Sequence, residues 1–461
     1  MAAPPLTTRA TTGGTQAEHR LQHDDDREFL NAVVLADLSD VEFAVSPTDG
    51  QVLKFDGASG LWKPGTDLTS TGGSGGSWQR APVHVYKDGS TYYAYSRTGG
   101  LITSGTVAHS VINAAITNAE SGGGGDVFLL AGIYSLTGTI LGGAHVRLTG
   151  EKGTWDTERA NPKGTILSAV TGFPTASGSA MYQAVSTSTK GVPGAGVAYI
   201  GFDGNAIAPV GIKVANKDAI VDSVIVKQCK EKGIWLANGN LTGQDNYVAM
   251  SIRFPSVDMA HATGSVGIAV EKEVGSTAAG MTDCEIIVPR VFRCKGAAIR
   301  GGRGLGGGGG LQVQGGHVTN SGFSPDAENV AQVDLAVSPG MITGMYLDSP
   351  AQGPWLHLGG PRFYITNCFF RAGGVFSNTP TTRWINVAGG GLGVIANNIA
   401  ESNSDAIGAA KNVEYGVFFG SAITAGRHVK IVGNSFEHTN HLKNRNQAEI
   451  EAVANFPTTT A

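Results

Sequence analysis

The sequence predicts an all-β chain in which many short strands are joined by tight turns. Glycine accounts for 68 of the 461 residues, and Lys, Arg, Asp and Glu together make up only 15%, against roughly 7% and 25% in an average soluble domain. Glycine adopts the positive φ angles of tight turns without steric cost. Apolar residues make up 41% of the chain, enough to build a core, which argues against disorder.

Charge and hydropathy argue against two classes of partner. The net charge is −4 and no basic cluster occurs, so we expect no nucleic-acid binding. No apolar stretch approaches the ~20 residues of a membrane span, so we expect no membrane insertion. Residues 1–26 lack the apolar run of a signal peptide, which predicts synthesis in a cytoplasm without secretion.

The N-terminal part divides into a polar arm (residues 1–37), a small β module (38–65) and a Gly/Ser linker (66–80). The module reads "LSDV", then "PTDGQVL", then "GLW", with turn signals between two short β runs. This order resembles a module of phage tail-fibre and other virion proteins. The resemblance implies that residues 1–65 attach the chain to a virion.

Residues 81–124 predict a hairpin followed by a single helix. Asp88-Gly89 is a hairpin turn signal, and apolar residues then recur at helical spacing. Ser104 or Thr106 is expected to cap the start of the helix, and Gly122 to end it. The apolar positions are Val107, Val111, Ile112, Ala115 and Ile116.

The segment after this helix, with its "V-x-L-x-x-G-x-Y" run at Val127–Tyr134, resembles the first turn of pectate-lyase-like β-helix proteins, a superfamily that includes phage tailspikes. The resemblance implies a right-handed parallel β-helix over residues 125–440, with the helix capping its first coil and a tail at 441–461. It does not imply one activity, because the superfamily includes lyases, hydrolases, isomerases and binding proteins.

The rest of the chain supports a solenoid independently, because short apolar runs recur with Gly or Asn between them. An "apolar-x-apolar-x-Asn-x-apolar" pattern returns three times after residue 360, which predicts an internal ladder of asparagines at the turns. The runs include residues 219–226, 283–288, 363–370, 394–399 and 429–436.

The four cysteines lie inside strand-like runs of one long region, and their spacings match no zinc motif. We interpret Cys229, Cys284, Cys294 and Cys368 as small apolar core residues. No metal or other cofactor is predicted.

Carboxylates are the candidates for catalysis, since glycan-cleaving enzymes use paired acids. Asp283 and Glu285 form the one close i, i+2 pair in a clear strand-like run and are expected to project on the same side. A solvated strand face explains the pair equally well, and we assign no catalytic residue.

Aromatic residues near loop signals are candidates for binding sugars, because aromatic rings bury a large area with little loss of entropy. Packing in the core or between subunits is the alternative, which we favour for each residue. The candidates are Trp235, Tyr346, Trp355 and Trp384.

Together these features predict a bacteriophage virion protein, resembling a tail fibre or tailspike, that displays a β-helix to bind a host-surface glycan or another tail protein. We expect a homotrimer, as in the tailspikes that it resembles. Two alternatives remain: a polysaccharide depolymerase, either a lyase or a glycoside hydrolase, and a purely architectural fibre or decoration subunit.

Overall fold

The computed structural model describes two compact units, residues 1–78 and 79–461, over the following ranges: 51–56, 61–66, 82–155, 162–186, 191–238, 247–248, 250–259, 265–273, 281–302, 310–321, 331–348, 354–372, 383–388, 391–402, 415–420, 428–437, 440–443, 450–453 and 456–458. The first unit contains an antiparallel pair, β1 (Gln51–Asp56) and β2 (Leu61–Thr66). The predicted arm lies outside the described residues, as does the predicted linker apart from Thr66, which is the last residue of β2. In the described ranges no helix is long and apolar enough to cross a bilayer.

The second unit begins with the predicted hairpin and helix. Strands β3 (Val83–Asp88), β4 (Thr91–Tyr95) and β5 (Leu101–Gly105) pair antiparallel, and α1 (Ala108–Ser121) follows. The buried face of α1 includes Ile112 and Ile116, and the helix ends at Gly122 as predicted. The expected cap by Ser104 or Thr106 is wrong, because Val107 occupies the N-cap position without a side-chain hydrogen bond.

From Gly125 onward the chain winds into a parallel β-helix whose coils each contribute one strand to three sheets, here called sheets 1, 2 and 3. It is right-handed, as parallel crossover connections almost always are. Eleven coils with all three strands lie in the described ranges: β6 (Gly125–Leu129), β7 (Gly132–Leu136) and β8 (Ile140–Leu141) in coil 1; β9 (Val146–Gly150), β12 (Thr165–Ala169) and β13 (Ala180–Val185) in coil 2, with the small hairpin β10 (Thr154–Trp155) and β11 (Pro162–Lys163) between them; β14 (Gly196–Ala198), β15 (Gly201–Asp203) and β16 (Val210–Ala215) in coil 3; β17 (Ile220–Asp222), β18 (Ile225–Lys227) and β19 (Lys232–Asn238) in coil 4; β21 (Ser251–Arg253), β22 (Ser256–Asp258) and β23 (Val266–Lys272) in coil 5, with β20 (Tyr247–Val248) before and β24 (Met281–Thr282) after; β25 (Cys284–Ile287), β26 (Arg290–Phe292) and β27 (Ile299–Gly301) in coil 6; β28 (Leu311–Gln314), β29 (His317–Thr319) and β30 (Val333–Leu335) in coil 7; β31 (Gly340–Thr343), β32 (Tyr346–Asp348) and β33 (Leu356–Leu358) in coil 8; β34 (Arg362–Thr366), β35 (Phe369–Ala372) and β36 (Arg383–Val387) in coil 9; β37 (Leu392–Ala396), β38 (Ile399–Ser402) and β39 (Tyr415–Phe419) in coil 10; and β40 (Val429–Val432), β41 (Ser435–Glu437) and β42 (Asn440–Lys443) in coil 11.

The stack does not stop at residue 440, where the sequence predicted its end. Strands β43 (Ile450–Val453) and β44 (Phe456–Thr458) add to sheets 1 and 2. At the opposite end, β3 pairs with β6 of coil 1 and continues sheet 1. The hairpin therefore covers the first edge of sheet 1, and an uncovered edge is a site for unwanted pairing.

Side chains alternate between the interior and the surface, and the interior positions stack coil on coil. In sheet 3, for example, Ile268, Ile299 and Val333 are in register, and each is 0% exposed. All four cysteines are free and buried, as predicted. Burial raises the pKa of the Cys284 and Cys294 thiols to about 12, so these thiols stay protonated and unreactive at neutral pH.

The turn between sheets 1 and 2 has two residues in every coil from coil 3 to coil 11. The first residue always has a positive φ. In coils 3 to 10 its N–H donates to the carbonyl of the last sheet 1 strand residue in the next coil, as Phe254 does to Ile287 at 2.9 Å. The ladder of hydrogen bonds therefore passes through the turn and fixes its geometry.

The second residue of this turn points inward, and in coils 10 and 11 it forms the predicted asparagine ladder. Asn398 and Asn434 are both 0% exposed. The Asn398 side chain donates to Oδ1 of Asn434 at 2.8 Å, and its own Oδ1 accepts the Cys368 N–H at 2.9 Å. The third predicted member, Asn367, occupies the outer turn position, and Cys368 takes the inner one.

Candidate functional site

The outer face of sheet 2 carries aromatic side chains in coils 6 to 9, here called the aromatic ladder: Phe292, His317, Tyr346 and Phe369. His317, Tyr346 and Phe369 form one row, and Phe292 lies in the neighbouring outer row, where its register partner is Thr319. The parallel register places His317 beside Tyr346 and Tyr346 beside Phe369. The His317 and Tyr346 rings are stacked with centroids 4.6 Å apart, and the Tyr346 and Phe369 centroids are 5.3 Å apart with the rings tilted by 48°. Phe292 meets the His317 ring edge-on at 6.0 Å.

The aromatic ladder is partly exposed and continues into an exposed apolar residue. Its four members are half-buried. Ile399, the next residue in register after Phe369, is 46% exposed. The row therefore offers a strip of apolar surface that runs along the solenoid axis, with a step of ~4.8 Å per coil.

Polar groups line the aromatic ladder on one side. The neighbouring outer row of sheet 2 places Asp348, Arg371 and Glu401 in register in coils 8, 9 and 10. Arg371 donates to the Tyr346 hydroxyl at 3.4 Å. A surface that combines ring edges, a hydroxyl, a guanidinium and two carboxylates can both pack against an apolar face and exchange hydrogen bonds.

His317 is the enclosed member of the aromatic ladder. Its Nε2 atom is buried and has no hydrogen-bond partner among the described residues. Burial lowers the pKa of this imidazole below its usual value, the Asp348 carboxylate acts in the opposite direction, and Arg290 lowers the pKa further. The side chain is therefore held as a neutral ring, which suits stacking.

Two of the four predicted sugar-binding aromatics lie in the core. Trp355 and Trp384 are 0% exposed, and their ring centroids are 4.0 Å apart. Neither ring can present a face to a ligand, so the sugar-binding hypothesis is wrong for both and the packing alternative is correct.

Trp235 is also covered, but it lies on the outer side of sheet 3. Only 4% of the residue is exposed. The Lys232 and Lys213 ammonium groups lie 3.9 Å and 4.6 Å from its ring centroid, and its indole N–H donates to the Glu271 carbonyl at 3.1 Å. This residue anchors cations, a packing role.

Charged residues continue along the outer side of sheet 3. Arg300 binds Glu271 through two hydrogen bonds of 2.8 Å, and Lys232 lies 3.3 Å from the same carboxylate. In the following coils Asp334 lies 3.1 Å from Nδ1 of His357. Both carboxylates are thus engaged by cationic or hydrogen-bonding partners, which explains how such groups are tolerated with little exposure.

Only one of the two candidate acids, Glu285, lies in a strand. Asp283 has a φ of 55° and precedes strand β25, which contains Glu285, so the expected i, i+2 pair on one strand is wrong. On the outer face of sheet 1, Glu285 Oε1 accepts hydrogen bonds from the Ser251 hydroxyl at 2.6 Å and from Arg253 at 3.1 Å. Glu285 therefore links neighbouring coils.

Of the four aromatic candidates predicted from the sequence, only Tyr346 belongs to the aromatic ladder. The sequence analysis did not identify the other three members, Phe292, His317 and Phe369. The signal was present in the short strands themselves: each has an inward apolar residue, and the outer residue just before it is His317, Tyr346 or Phe369 in successive coils. Aligning the coils on that inward residue would have revealed the row. No group of three or more potential metal-ligating side chains occurs within the described ranges.

No protein-family model and no curated protein matches the chain. Among solved structures, the chain is similar to the DFA-IIIase of Arthrobacter chlorophenolicus A6 in complex with GF2 (12% identity, 77% of this chain and 95% of that one, TM-score 0.44). It is also similar to the Dettilon tailspike protein (11%, 75% and 61%, 0.40) and to pectate lyase Pel9A (11%, 72% and 71%, 0.33).

Proposed function

We propose that this chain is a bacteriophage virion protein, resembling a tail fibre or tailspike, whose β-helix binds a host-surface glycan along the aromatic ladder of sheet 2. The observation that carries the proposal is the ladder itself, in which half-exposed rings in four successive coils are flanked by hydrogen-bonding side chains. Sugars have apolar C–H faces and hydroxyl rims, so they require both kinds of group.

The geometry suits an extended chain better than a single sugar. Successive coils repeat every ~4.8 Å, a distance close to the length of one sugar residue in a polysaccharide. Tyr346, Phe369 and Ile399 would contact successive residues, and Arg371 and Asp348 would exchange hydrogen bonds with hydroxyl groups. The His317 and Tyr346 rings are already stacked on each other, so binding would cost little side-chain entropy.

The virion assignment rests on the resemblance of residues 38–65 to a module of phage virion proteins. Under this proposal residues 1–65 contact other virion proteins, and the solenoid extends the binding surface toward the host. The protein would then reside on the exterior of the particle, in the tail or another exposed part.

The test is a glycan array probed with the full-length protein, followed by titration of any glycan bound. Phe369→Ala and Tyr346→Ala should each weaken binding at least about tenfold, which corresponds to ~1.4 kcal/mol. Tyr364→Ala is the matched control, because Tyr364 is an aromatic residue of coil 9 that is 45% exposed on sheet 1. Absence of binding to any host polysaccharide would favour the architectural alternative.

A depolymerase is the second candidate, favoured by the acids beside the ladder. Asp348 and Glu401 are in register two coils apart, with Arg371 between them, so their backbones are separated by roughly 10 Å. Inverting glycosidases hold their two carboxyl groups ~6.5–9.5 Å apart, which the side chains could reach. New reducing ends from a bound polysaccharide, lost in Asp348→Asn and kept in Asp283→Asn, would establish hydrolysis at this face.

A further inference from the structure

The turn between sheets 1 and 2 forms a continuous corner along the solenoid. Its outer residues, here called the corner row, are one per coil from coil 3 to coil 11, and their backbones all have φ between 48° and 66°. In coil order they are Tyr199, Ser223, Phe254, Val288, Gly315, Gly344, Asn367, Asn397 and Gly433.

Three residues of the corner row are poorly suited to this conformation. A positive φ costs roughly 1–2 kcal/mol for a residue other than glycine and is a marked outlier for a β-branched or bulky side chain. Yet the row contains Tyr199, Phe254 and Val288, with φ values of 59°, 49° and 48°. Phe254 and Val288 also precede prolines, which further restrict the preceding backbone.

The same three side chains gain no burial within the chain. Phe254 is 56% exposed, Tyr199 42% and Val288 38%. Glycine or asparagine occupies the equivalent position in coils 7 to 11 and would relieve the backbone here as well. Three strained and exposed apolar residues within four coils therefore need a reason outside the isolated chain.

Charge indicates what covers the row. All nine members of the corner row are uncharged, although the adjoining outer positions include Asp222, Arg253 and Arg290. When identical chains pack around a rotation axis parallel to their solenoids, each residue near the axis meets its own copies at the same height. A charge there would meet like charges, whereas the uncharged row, with its apolar side chains at Tyr199, Phe254 and Val288, can pack against its own copies.

We infer that the corner row is the surface on which copies of this chain associate, with Tyr199, Phe254 and Val288 packing against their own counterparts around a rotation axis. The strain of each bulky residue is then offset by apolar area buried between chains. This surface is distinct from the aromatic ladder, so association leaves the ladder accessible to ligand.

The first test compares the full-length chain with a Tyr199→Asn/Phe254→Asn/Val288→Asn variant by sedimentation velocity at micromolar concentration. Asparagine tolerates a positive φ and already occupies the corner row at Asn367 and Asn397. We expect the wild type to be an oligomer and the variant to approach the 47.4 kDa of one chain. A monomeric wild type, or an oligomer that the variant leaves intact, overturns the inference.

Two further measurements separate loss of the interface from misfolding. Because asparagine relieves backbone strain, the variant should keep the wild-type circular dichroism spectrum and a cooperative unfolding transition. Leu141→Asn is the matched control, since Leu141 is 54% exposed on sheet 3, and it should remain an oligomer.

Cross-linking then maps the surface directly. All four native cysteines are buried, so a cysteine introduced at the surface is the reactive thiol. Ser223→Cys lies in the corner row between Tyr199 and Phe254 and should be joined between chains by a short bis-maleimide. Leu141→Cys should not. Efficient cross-linking through Leu141→Cys and none through Ser223→Cys would place the interface elsewhere.

Discussion

At the residue scale, the turns between sheets 1 and 2 assign two different tasks to neighbouring side chains. The outer residue must adopt a positive φ, and the inner residue must fill the core or satisfy buried polar groups. Asn397 and Asn398 are adjacent in sequence and illustrate both tasks, with φ 56° for the first and complete burial for the second. A pattern of asparagines alone could not tell which task each performs.

The asparagine ladder should make a large contribution to stability in the last coils. Asn434 Oδ1 accepts from both the backbone N–H and the side chain of Asn398, at 3.0 Å and 2.8 Å. Asn434→Ala removes the acceptor of the Asn398 backbone N–H and of one side-chain N–H of Asn398, at ~1–3 kcal/mol each, while the same side-chain amide keeps its 3.2 Å hydrogen bond to the Ile365 carbonyl. We expect a loss of about 2–4 kcal/mol in the free energy of unfolding, measured by urea denaturation.

The control for this variant is Gln312→Ala, which truncates a half-buried polar side chain on the outer face of sheet 1. Surface substitutions of this kind usually change stability by less than about 0.5 kcal/mol. Equal effects of the two substitutions would show that the ladder has no special role.

His317 should make the stability of the solenoid depend on pH. Burial lowers the pKa of His317 in the folded chain, so the unfolded chain binds a proton more readily. Stability is therefore highest above the unfolded pKa of about 6.5 and falls as the pH decreases below it. His317→Phe keeps an aromatic ring beside Tyr346 but cannot titrate, so urea midpoints at pH 7 and pH 5 should differ less in the variant than in the wild type.

The control for His317→Phe is the same substitution at another histidine, His357. His357 is half-buried on sheet 3, where it bonds Asp334. His357→Phe should leave the His317-dependent part of the pH effect in place. If His317→Phe and the wild type lose the same amount of stability between pH 7 and pH 5, folding does not lower the pKa of His317.

At the scale of elements, the hairpin and helix α1 were the parts that the sequence predicted best. The Asp88-Gly89 turn and the helical spacing of Val111, Ile112, Ala115 and Ile116 are local signals, and each of these four residues is buried as expected. The N-cap was predicted incorrectly because hydroxyl residues lie nearby at Ser104 and Thr106. In the structure Val107 is the N-cap and the helix begins at Ala108.

The N-terminal unit should be separable from the solenoid. Residues 79–461 form a compact unit of their own, so a protein that begins at Ser77 should fold with the thermal midpoint of the full-length chain. If residues 1–65 attach the chain to the virion, this truncated protein should not be incorporated into particles. Immunoblotting of purified virions after complementation measures incorporation, and normal incorporation would falsify the attachment role of these residues.

At the scale of the whole molecule, the solenoid exposes three different faces from one repeating coil. Sheet 2 presents the aromatic ladder, sheet 3 carries charged residues that are largely paired, and the corner between sheets 1 and 2 presents the uncharged row. Under the two proposals above, this division would let one chain associate through the corner row and bind a glycan through the aromatic ladder.

We predict that the assembled protein contains three chains. The resemblance to tailspikes led to this expectation, and a corner between two sheets fits a three-fold axis because each chain fills a wedge around it. Size-exclusion chromatography with light scattering should give about three times the mass of one chain at micromolar concentration. A stable monomer would contradict the prediction, and a dimer would require a two-fold arrangement of the corner row.

The sequence by itself determined the class of fold and the interior of the coils. The evidence for the fold was the glycine content, the low charge and the short apolar runs. These features reflect turn geometry and strand burial, which depend on each segment by itself. The same was true of the buried cysteines and of the asparagines at the turns. These features do not depend on which coil lies next to which.

Only the tertiary structure decided which surface residues meet. Phe292, His317, Tyr346 and Phe369 come together because the inter-coil register pairs their strands, while loops of unequal length hide that register in the sequence. The tryptophans showed the converse: their proximity to loops suggested exposure, yet Trp355 and Trp384 pack against each other inside the solenoid. In a parallel β-helix the neighbours of an outward side chain lie in the adjacent coils. Their separation from it in the sequence depends on the length of every loop in the intervening turn.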